Sequence, residues 1–250
     1  MIKSKNYFKL CFLIFANFLF TISDNIPEGF VNVSDIDPSI IVNLKYFTDD
    51  NFVGKKIIGY NANIAYLKNK TAHALAKAQK KFLSKGYSIV IYDAYRPNKS
   101  VQYFMEWVKD ETDIKRKDYH YPNVNKTDMP ELYISSRSQH SKGTTVDISI
   151  IKTNKQLDKN PNWVERYFNG QKYFYMNDNT IDCGTSFDLL DPASYWVNNT
   201  FNFTELQKFN RLFIKGIMES VGFEVLNEEW WHFRYKWEGE DETIYDFNIE

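Results

Sequence analysis

Hydrophobic residues recur along this chain with two different periods, and each period predicts one type of secondary structure. Ala74, Ala78 and Phe82 repeat at helical spacing, so one helix is expected around them. Segments with this period predict three helices: 71–83, 100–108 and 206–221. Thr204 and Gln207 have the spacing of a capping box, which marks the start of the last helix.

Apolar runs and strictly alternating runs predict strands instead. They occupy five segments: 40–46, 87–92, 144–150, 223–226 and 231–235. In 144–150, Val146 and Ile148 lie on one face of the pleat, while Asp147 and Ser149 lie on the other. This strand therefore presents a polar face that can carry chemistry.

The remaining segments have weaker patterns. Residues 109–135 are charged and rich in Tyr, Asn and Pro, which predicts a long loop. Residues 153–181 are interpreted as a surface excursion, with a hairpin ending at 173–175 as one possible form. No repeat or linker interrupts the pattern, so we expect a single α+β domain with a small mixed or antiparallel sheet flanked by helices.

The first 23 residues have the composition of a secretory signal peptide. Three lysines precede a short apolar stretch at 10–20, and small residues follow it. This stretch is shorter than the roughly 20 residues that a membrane span needs. We therefore predict cleavage after residue 23, a periplasmic or secreted mature protein and no stable membrane insertion, with an uncleaved anchor as the alternative.

Charge and cysteine content narrow the possible functions of the mature chain, residues 24–250. Its formal charge is −4, and its basic residues look scattered, so nothing in the sequence suggests nucleic-acid binding. Cys183 would be its only cysteine, which excludes an internal disulfide and a zinc site built from several thiolates. The sequence leaves the oligomeric state open.

Two motifs offer the donor atoms of a catalytic metal site. His140 and Asp147 flank Gly143, which can take a turn geometry that folds the histidine over the polar face of the following strand. Glu229 and His232 add a second imidazole and a spare carboxylate. A catalytic zinc needs three protein ligands, an open position and a nearby base, so a metal-dependent hydrolase is the first hypothesis.

Each motif also has an ordinary structural interpretation. His140 and Asp147 could belong to a surface loop followed by an edge strand, and 229–232 to an aromatic core strand. A regular pleat would send Glu229 and His232 to opposite faces, so a shared site requires a bulge or bend between them. Arg96, next to Pro97, is either a surface turn residue or a fixed cation held by Asp93. His73 is interpreted as a surface or packed residue. His120 is interpreted as a loop residue, with a position lining a cleft as the alternative.

Taken together, five stretches resemble the zinc D-alanyl-D-alanine dipeptidases, within the wider group of D-Ala-D-Ala metallopeptidases. They run in the family's order over nearly all of the mature chain: Tyr46 with 51–55 (NFVGK), 92–97 (YDAYRP), 138–147 (SQHSKGTTVD), 184–188 (GTSFD) and 229–232 (EWWH).

This resemblance implies a role for each matching residue. His140, Asp147 and His232 would bind one zinc ion at the sheet, and Glu229 would act as general base and then acid. Arg96 would stabilise the oxyanion. Ser138, Asp188 and Tyr46 would line the dipeptide pocket, with Asp188 near the free amine. Thr145 departs mildly from the alanine that many relatives carry.

The implied activity is hydrolysis of D-Ala-D-Ala to D-alanine. The signal segment departs from the family's cytoplasmic members and favours a role in cell-wall turnover or remodelling. Two alternatives stay open: a D,D-carboxypeptidase or endopeptidase acting on peptidoglycan stem peptides, and a zinc-binding protein of the same fold without turnover.

Overall fold

The computed structural model describes residues 26–196 and 203–250, and the predicted signal segment lies outside them. In chain order the strands are β1 (Phe30–Asn32), β2 (Ile41–Val42), β3 (Tyr66–Lys68), β4 (Tyr87–Asp93), β5 (Thr145–Lys152), β6 (Asn162–Phe168), β7 (Gln171–Asn177), β8 (Phe223–Leu226) and β9 (Glu229–Tyr235). The helices are α1 (Val33–Ile36), α2 (Asn69–Leu83), α3 (Asn98–Trp107), α4 (Lys117–His120), α5 (Met129–Leu132) and α6 (Glu205–Glu219).

A five-stranded sheet with the order β2-β4-β5-β9-β8 forms the centre of the fold. β2 pairs with β4 in parallel, and the other neighbours are antiparallel, so the predicted α+β class with a mixed sheet is confirmed. β1 pairs with β3, and β6 with β7, in two small separate sheets. Among the described residues, no helix is long and apolar enough to cross a membrane.

Helices α2 and α6 lie side by side on one face of this sheet. The ring of Phe213 in α6 contacts Phe82 of α2, with centroids 5.8 Å apart, and Tyr87 of β4, at 5.5 Å. Tyr87 shares its face of β4 with Ile89 and Ile91, so this face offers an apolar surface on which the helices pack. Burial of these side chains is the main force that holds the two layers together.

The opposite face of the sheet carries the polar residues of β5. Thr145, Asp147 and Ser149 are all buried, because other parts of the chain cover this face as well. β5 is the third of the five strands, so the interpretation of this segment as an edge strand is wrong. A buried carboxylate is costly unless it is paired with cations or hydrogen-bond donors, so Asp147 is a candidate functional group from the fold alone.

Several sequence predictions match the observed elements within a few residues. Helices α2, α3 and α6, strands β4, β5, β8 and β9, and the capping box are confirmed. The 153–181 excursion is the β6–β7 hairpin. The 109–135 segment is less irregular than predicted, since it contains α4, α5 and a 3₁₀ turn at Lys126–Asp128.

The predicted strand at 40–46 is mostly wrong. Only Ile41–Val42 pairs with the sheet, and a 3₁₀ turn follows at Lys45–Phe47. The backbone N–H of Leu44 donates to Asn63 Oδ1 at 2.8 Å, so a side chain takes the place of a sheet partner. This turn buries Tyr46, which an extended strand would have placed differently.

Candidate active site

His140, Asp147 and His232 converge on one point at the centre of the sheet. Asp147 of β5 is the direct cross-strand partner of His232 of β9, and His140 reaches them from the loop before β5. His232 Nδ1 lies 3.2 Å from Asp147 Oδ1 and 3.3 Å from His140 Nε2. One donor atom from each of the three lies within 4.8 Å of the others, so a single ion can be shared.

A tight turn brings His140 to this position. Residues Gln139–Lys142 form a 3₁₀ turn, and Ser138 caps its start by accepting the His140 N–H at 3.2 Å. Gly143 ends the turn with φ +72°, the left-handed conformation that glycine adopts without strain. Any side chain there would also collide with the ring of Phe30. The predicted turn at Gly143 is confirmed.

The backbone carbonyl of Ala94 orients the ring of His140. His140 Nδ1 donates to this oxygen at 2.7 Å, which orients the ring so that Nε2 faces Asp147 and His232. Ala94 follows β4 directly, so the end of the predicted strand supplies this contact. Metal-binding histidines commonly have such a partner on their other ring nitrogen.

Glu229 lies beside the three-residue cluster. Its Oε2 is 3.2 Å from His232 Nδ1, although the two residues belong to the same strand. Strand β9 departs from regular pairing here: Val225 pairs with Phe233, while the next residue, Leu226, pairs with Glu229. The strand is therefore irregular between Glu229 and His232, as a shared site requires. The interpretation of 229–232 as only an aromatic core strand is incomplete.

The pKa values of His232 and Asp147 are strongly shifted when no ion is bound. Burial opposes protonation of His232, but the carboxylates of Asp147 and Glu229 outweigh it and raise the His232 pKa to about 9. Burial alone would raise the pKa of Asp147, but His140 and His232 hold it below its ordinary value. A proton therefore sits on His232 at neutral pH, at the place where an added cation would replace it.

Arg96 is a fixed cation at the edge of the cluster, as one interpretation of the sequence predicted. Its Nε donates to Asp93 Oδ2 at 2.9 Å, and a terminal guanidinium nitrogen lies 3.8 Å from Asp147 Oδ2. Asp93 can reach both Arg96 and the site because a bulge in β4 brings it opposite Asp147. Tyr60 also donates to Asp93 Oδ1, at 2.7 Å, which adds a second donor to this buried carboxylate.

Tyr46 and Asp188 form a second polar pair in the same cavity. The Tyr46 hydroxyl donates to Asp188 Oδ2 at 2.8 Å, and both residues are buried. Burial, followed by the nearby charge of Asp147, raises the pKa of Asp188 well above its usual value. A cation bound beside Asp188 would lower that pKa again and restore the carboxylate.

His120 holds the segment that carries Asp188. Its Nδ1 donates to the Asp188 carbonyl oxygen at 3.1 Å, and its own carbonyl accepts the Leu190 N–H at 2.7 Å. Burial, with Arg116 nearby, lowers the His120 pKa to about 3, so the ring is neutral. Asp188 has φ +56°, an uncommon conformation for a non-glycine residue, and these contacts hold it there.

A cavity of about 230 Å³ joins these groups. Every site residue predicted from the sequence lines it: Tyr46, Arg96, Ser138, His140, Asp147, Asp188, Glu229 and His232. Drug-sized ligands occupy cavities of about 300–1,000 Å³, so this one suits a smaller molecule.

The sequence did not identify the other walls of the cavity. They are Phe52, Phe104, Tyr133, Ile134, Ser135, Arg137, Gln139, Leu190 and Leu226. Tyr133, Ile134 and Ser135 line the site from the end of the segment predicted to be a loop, and no periodicity marks such a role. The β6–β7 hairpin contributes no lining residue in the described part of the chain.

The donor set fits a zinc ion. Two imidazole nitrogens and one carboxylate oxygen are the ligand types of known catalytic zinc sites, and such sites keep a fourth position for water. Asp147 Oδ1 is buried and faces His232 Nδ1 at 3.2 Å without a well-formed hydrogen bond, so its lone pairs are available to an ion at the point of convergence. Cys183 is buried away from the cavity, which leaves no thiolate in the lining.

Comparison with known proteins assigns the family. The sequence model of the Peptidase_M15 family, described as D-ala-D-ala dipeptidase, matches residues 27–158 and 175–250. The D-alanyl-D-alanine dipeptidase of Enterococcus faecium is 30% identical over 89% of this chain and 98% of its own. The D-alanyl-D-alanine dipeptidase of Streptomyces coelicolor is 30% identical over 88% of this chain and 98% of its own. That of Escherichia coli is 26% identical over 81% of this chain and 82% of its own.

A solved structure also shows some similarity. The Zn(II) complex of a variant of the vancomycin-resistance D,D-pentapeptidase VanY has a TM-score of 0.36 and 15% identity, over 70% of this chain and 76% of that one. The family model covers most of the described residues and leaves 159–174, which include β6, unmatched. On this sequence evidence, the chain belongs to the D-Ala-D-Ala dipeptidase family of peptidases.

Proposed function

We propose that this protein is a zinc-dependent dipeptidase that hydrolyses D-Ala-D-Ala to D-alanine, with one zinc ion held by His140, Asp147 and His232. The observation that carries the proposal is the convergence of these three donors beside a fourth group, Glu229, in a small cavity. Curated relatives named D-alanyl-D-alanine dipeptidase support the choice of substrate.

Glu229 is the proton carrier in this proposal. Bound zinc would lower the pKa of a coordinated water to about 7 and polarise the scissile carbonyl. Glu229 lies at the edge of the cluster, 3.2 Å from His232 Nδ1, where it can accept the proton of the attacking water. The same carboxyl group then delivers a proton to the departing amine, which would otherwise be a poor leaving group.

Arg96 stabilises the negative charge that develops on the carbonyl oxygen. Asp93 fixes one edge of its guanidinium, so the cation is already oriented before the reaction and needs little reorganisation. The aromatic ring of Tyr46 lies 5.1 Å from the guanidinium carbon and limits its movement further. Arginine stays protonated throughout, which suits charge stabilisation and excludes it from proton transfer.

The two termini of the dipeptide meet different groups. Asp188 would receive the ammonium group, since a buried carboxyl group with a raised pKa gains from a nearby cation. Ser138 accepts the His140 N–H, so its hydroxyl proton can be directed to the substrate carboxylate. Arg137, an exposed residue of the cavity lining, is a second group that can attract this carboxylate.

The main rival is a carboxypeptidase or endopeptidase that trims longer stem peptides. A dipeptidase must recognise a free ammonium close to the scissile bond, whereas a carboxypeptidase must accept an acylated nitrogen there. The small cavity volume and the buried Asp188 both favour the free dipeptide. An acylated substrate would bury Asp188 against an uncharged group and leave its carboxyl without a cation.

The substrate test follows from this difference. Zinc-loaded protein is incubated with D-Ala-D-Ala, with N-acetyl-D-Ala-D-Ala and with a pentapeptide that ends in D-Ala-D-Ala, and released D-alanine is measured. We expect cleavage of the free dipeptide alone. Cleavage of the pentapeptide with the dipeptide intact would replace the proposal by the carboxypeptidase alternative.

The second rival is a zinc-binding protein without turnover. Such a protein needs only the metal ligands. Glu229 is an additional carboxylate beside the proposed ion site, and a protein without turnover has no use for it. A folded, zinc-loaded protein that binds the dipeptide and releases no D-alanine would favour this rival.

We further propose that the mature enzyme acts outside the cytoplasm, in cell-wall turnover or remodelling. The support is the signal-like composition of residues 1–23. N-terminal sequencing of protein from the native source should find a chain that begins near Asp24 in the periplasmic or secreted fraction. A soluble cytoplasmic chain that still begins at Met1 would contradict this location and leave the zinc chemistry intact.

A further inference from the structure

The exposed face of α2 is rich in lysine and carries no acidic residue. Between residues 69 and 92 the chain contains five lysines and no aspartate or glutamate. The exposed positions from 70 to 81 are all Lys or His: Lys70, His73, Lys77, Lys80 and Lys81, with Lys85 just beyond the helix. The basic residues of the sequence are therefore not evenly scattered, because the fold gathers these on one surface.

None of these lysines pairs with a carboxylate of the residues that the structure describes. Unpaired lysines in a row repel each other, and the repulsion is relieved when an anionic surface approaches. The positive charge of this face therefore favours the binding of a polyanionic partner.

Helix α6 adds an apolar strip beside the basic face. Leu206, Phe209 and Leu212 are 64%, 60% and 64% exposed. The Phe209 ring stacks on Phe213, which contacts Phe82 of α2, so the strip borders α2 directly. The acidic residues of α6 in the described chain, Glu205 and Glu219, are each paired with a lysine of the same helix.

The two helices point their outer faces in the same direction, because both pack on one face of the central sheet. Tyr87 of β4 contacts α6, and its strand neighbour on the same face, Ile91, pairs with Ile148 of β5. Asp147 is the neighbour of Ile148 on β5, so its side chain points to the opposite face of the sheet. A partner on α2 and α6 would leave the active-site cavity open.

We infer that the α2–α6 face docks on the surface of a bilayer that contains anionic phospholipid. Lysines would contact the headgroups, while Leu206, Phe209 and Leu212 would insert among the upper acyl carbons. A soluble polyanion would use the lysines and leave the apolar strip in water, so the combination favours a membrane. This inference is independent of the proposed enzymatic activity.

Vesicle sedimentation of residues 24–250, the predicted mature chain, tests this inference. Vesicles of phosphatidylcholine alone are compared with vesicles that also contain phosphatidylglycerol, and the fraction bound is measured at low and high salt. The first variant is Lys77→Gln/Lys80→Gln/Lys85→Gln. Its matched control, Lys56→Gln/Lys109→Gln/Lys172→Gln, changes the net charge equally at exposed lysines outside α2 and α6.

We expect the first variant to lose about 100-fold in partitioning to the anionic vesicles, since each headgroup-facing lysine contributes roughly a factor of five. The control should bind as the wild type does. Residues 1–23 are removed from every protein, because their apolar stretch could bind the vesicles and hide the contribution of the α2–α6 face. Equal binding by wild type and first variant would overturn the inference.

A second variant, Phe209→Ser/Leu212→Ser, tests the apolar part. It should bind anionic vesicles more weakly than the wild type at every salt concentration. Unchanged binding, or binding of the wild type to inorganic polyphosphate without binding to vesicles, would replace the bilayer by a soluble polyanion. Thermal unfolding of each variant confirms that it is folded before its binding is compared.

Discussion

Asp147 and His232 stand directly opposite each other on β5 and β9, with His232 Nδ1 3.2 Å from Asp147 Oδ1. The ladder hydrogen bonds of two central strands thus set the separation of two proposed zinc ligands. Only His140 arrives from outside the sheet, and the Ala94 carbonyl fixes its orientation. Two of the three proposed ligands thus have their backbone positions set by the central sheet.

The first prediction concerns the ligands themselves. Replacing His232 with alanine should remove both zinc and activity, because two protein donors rarely hold zinc tightly. His73→Ala is the matched control, since His73 is an exposed histidine on α2. Zinc per chain is measured by atomic absorption after dialysis against a weak chelator. An unchanged zinc content in His232→Ala would refute its assignment as a ligand.

The second prediction separates the base from the ligands. Glu229→Gln keeps the shape of the side chain and removes its ability to accept a proton. It should retain zinc and lose on the order of 10²–10⁴-fold in kcat, the usual contribution of a positioned proton carrier. Glu228→Gln, one residue away, should keep a rate close to that of the wild type. Full activity in Glu229→Gln would remove Glu229 from the mechanism.

The third prediction concerns pH and zinc binding. The His232 pKa is raised from 6.5 to about 9 in the ion-free protein, so zinc must displace a proton at neutral pH. Below pH 9, apparent zinc affinity should therefore rise about tenfold per pH unit. Competition with a chelator of known affinity measures this slope. An affinity independent of pH between 7 and roughly 8.5 would contradict the protonated state of His232.

Stability of the ion-free protein should change in the opposite direction. A group whose pKa is raised on folding stabilises the folded state at low pH, and this contribution is lost as pH rises toward the folded pKa. The His232 contribution to the free energy of unfolding should thus decline from pH 6.5 to 9 without zinc. Urea unfolding of the wild type and of His232→Ala separates this contribution from those of other groups.

The fourth prediction addresses His120, which positions Asp188 without touching the proposed zinc. His120→Ala removes the donor to the Asp188 carbonyl, whereas His120→Asn can place an amide N–H near the Nδ1 position. We expect about a tenfold increase in KM in the alanine variant, from the loss of one buried hydrogen bond, and partial recovery in the asparagine variant. Zinc content should stay unchanged in both. A fall in kcat at constant KM would contradict a positioning role.

Local sequence patterns predicted the elements that carry the site better than they predicted its assembly. The 3.6-residue and two-residue periods placed α2, β4, β5 and α6 correctly because these elements are long and bury one or two complete faces. Strand order depends on contacts between distant segments, so periodicity did not reveal that β5 is central or that Asp147 pairs with His232.

The remaining differences depend on individual contacts and bulges that sequence patterns do not reveal. The turn at Tyr46 depends on Asn63, nineteen residues from Leu44, and the position of Asp93 depends on a bulge in β4. The cavity wall formed by 133–138 has no periodic pattern, because residues in a covering loop are selected for their position above the site. The motifs with His140, Asp147, Glu229 and His232 predicted a candidate metal site because metal-dependent hydrolysis restricts residue type strongly.

The central claim is that one zinc ion at His140, Asp147 and His232 makes this protein a D-Ala-D-Ala dipeptidase. The most direct measurement is a titration of metal-free protein with zinc, in which D-alanine released from D-Ala-D-Ala is followed at each addition. The account predicts no release without metal and a rate that rises linearly to a plateau at one zinc per chain. Folded protein that carries one zinc per chain and leaves D-Ala-D-Ala intact would contradict it.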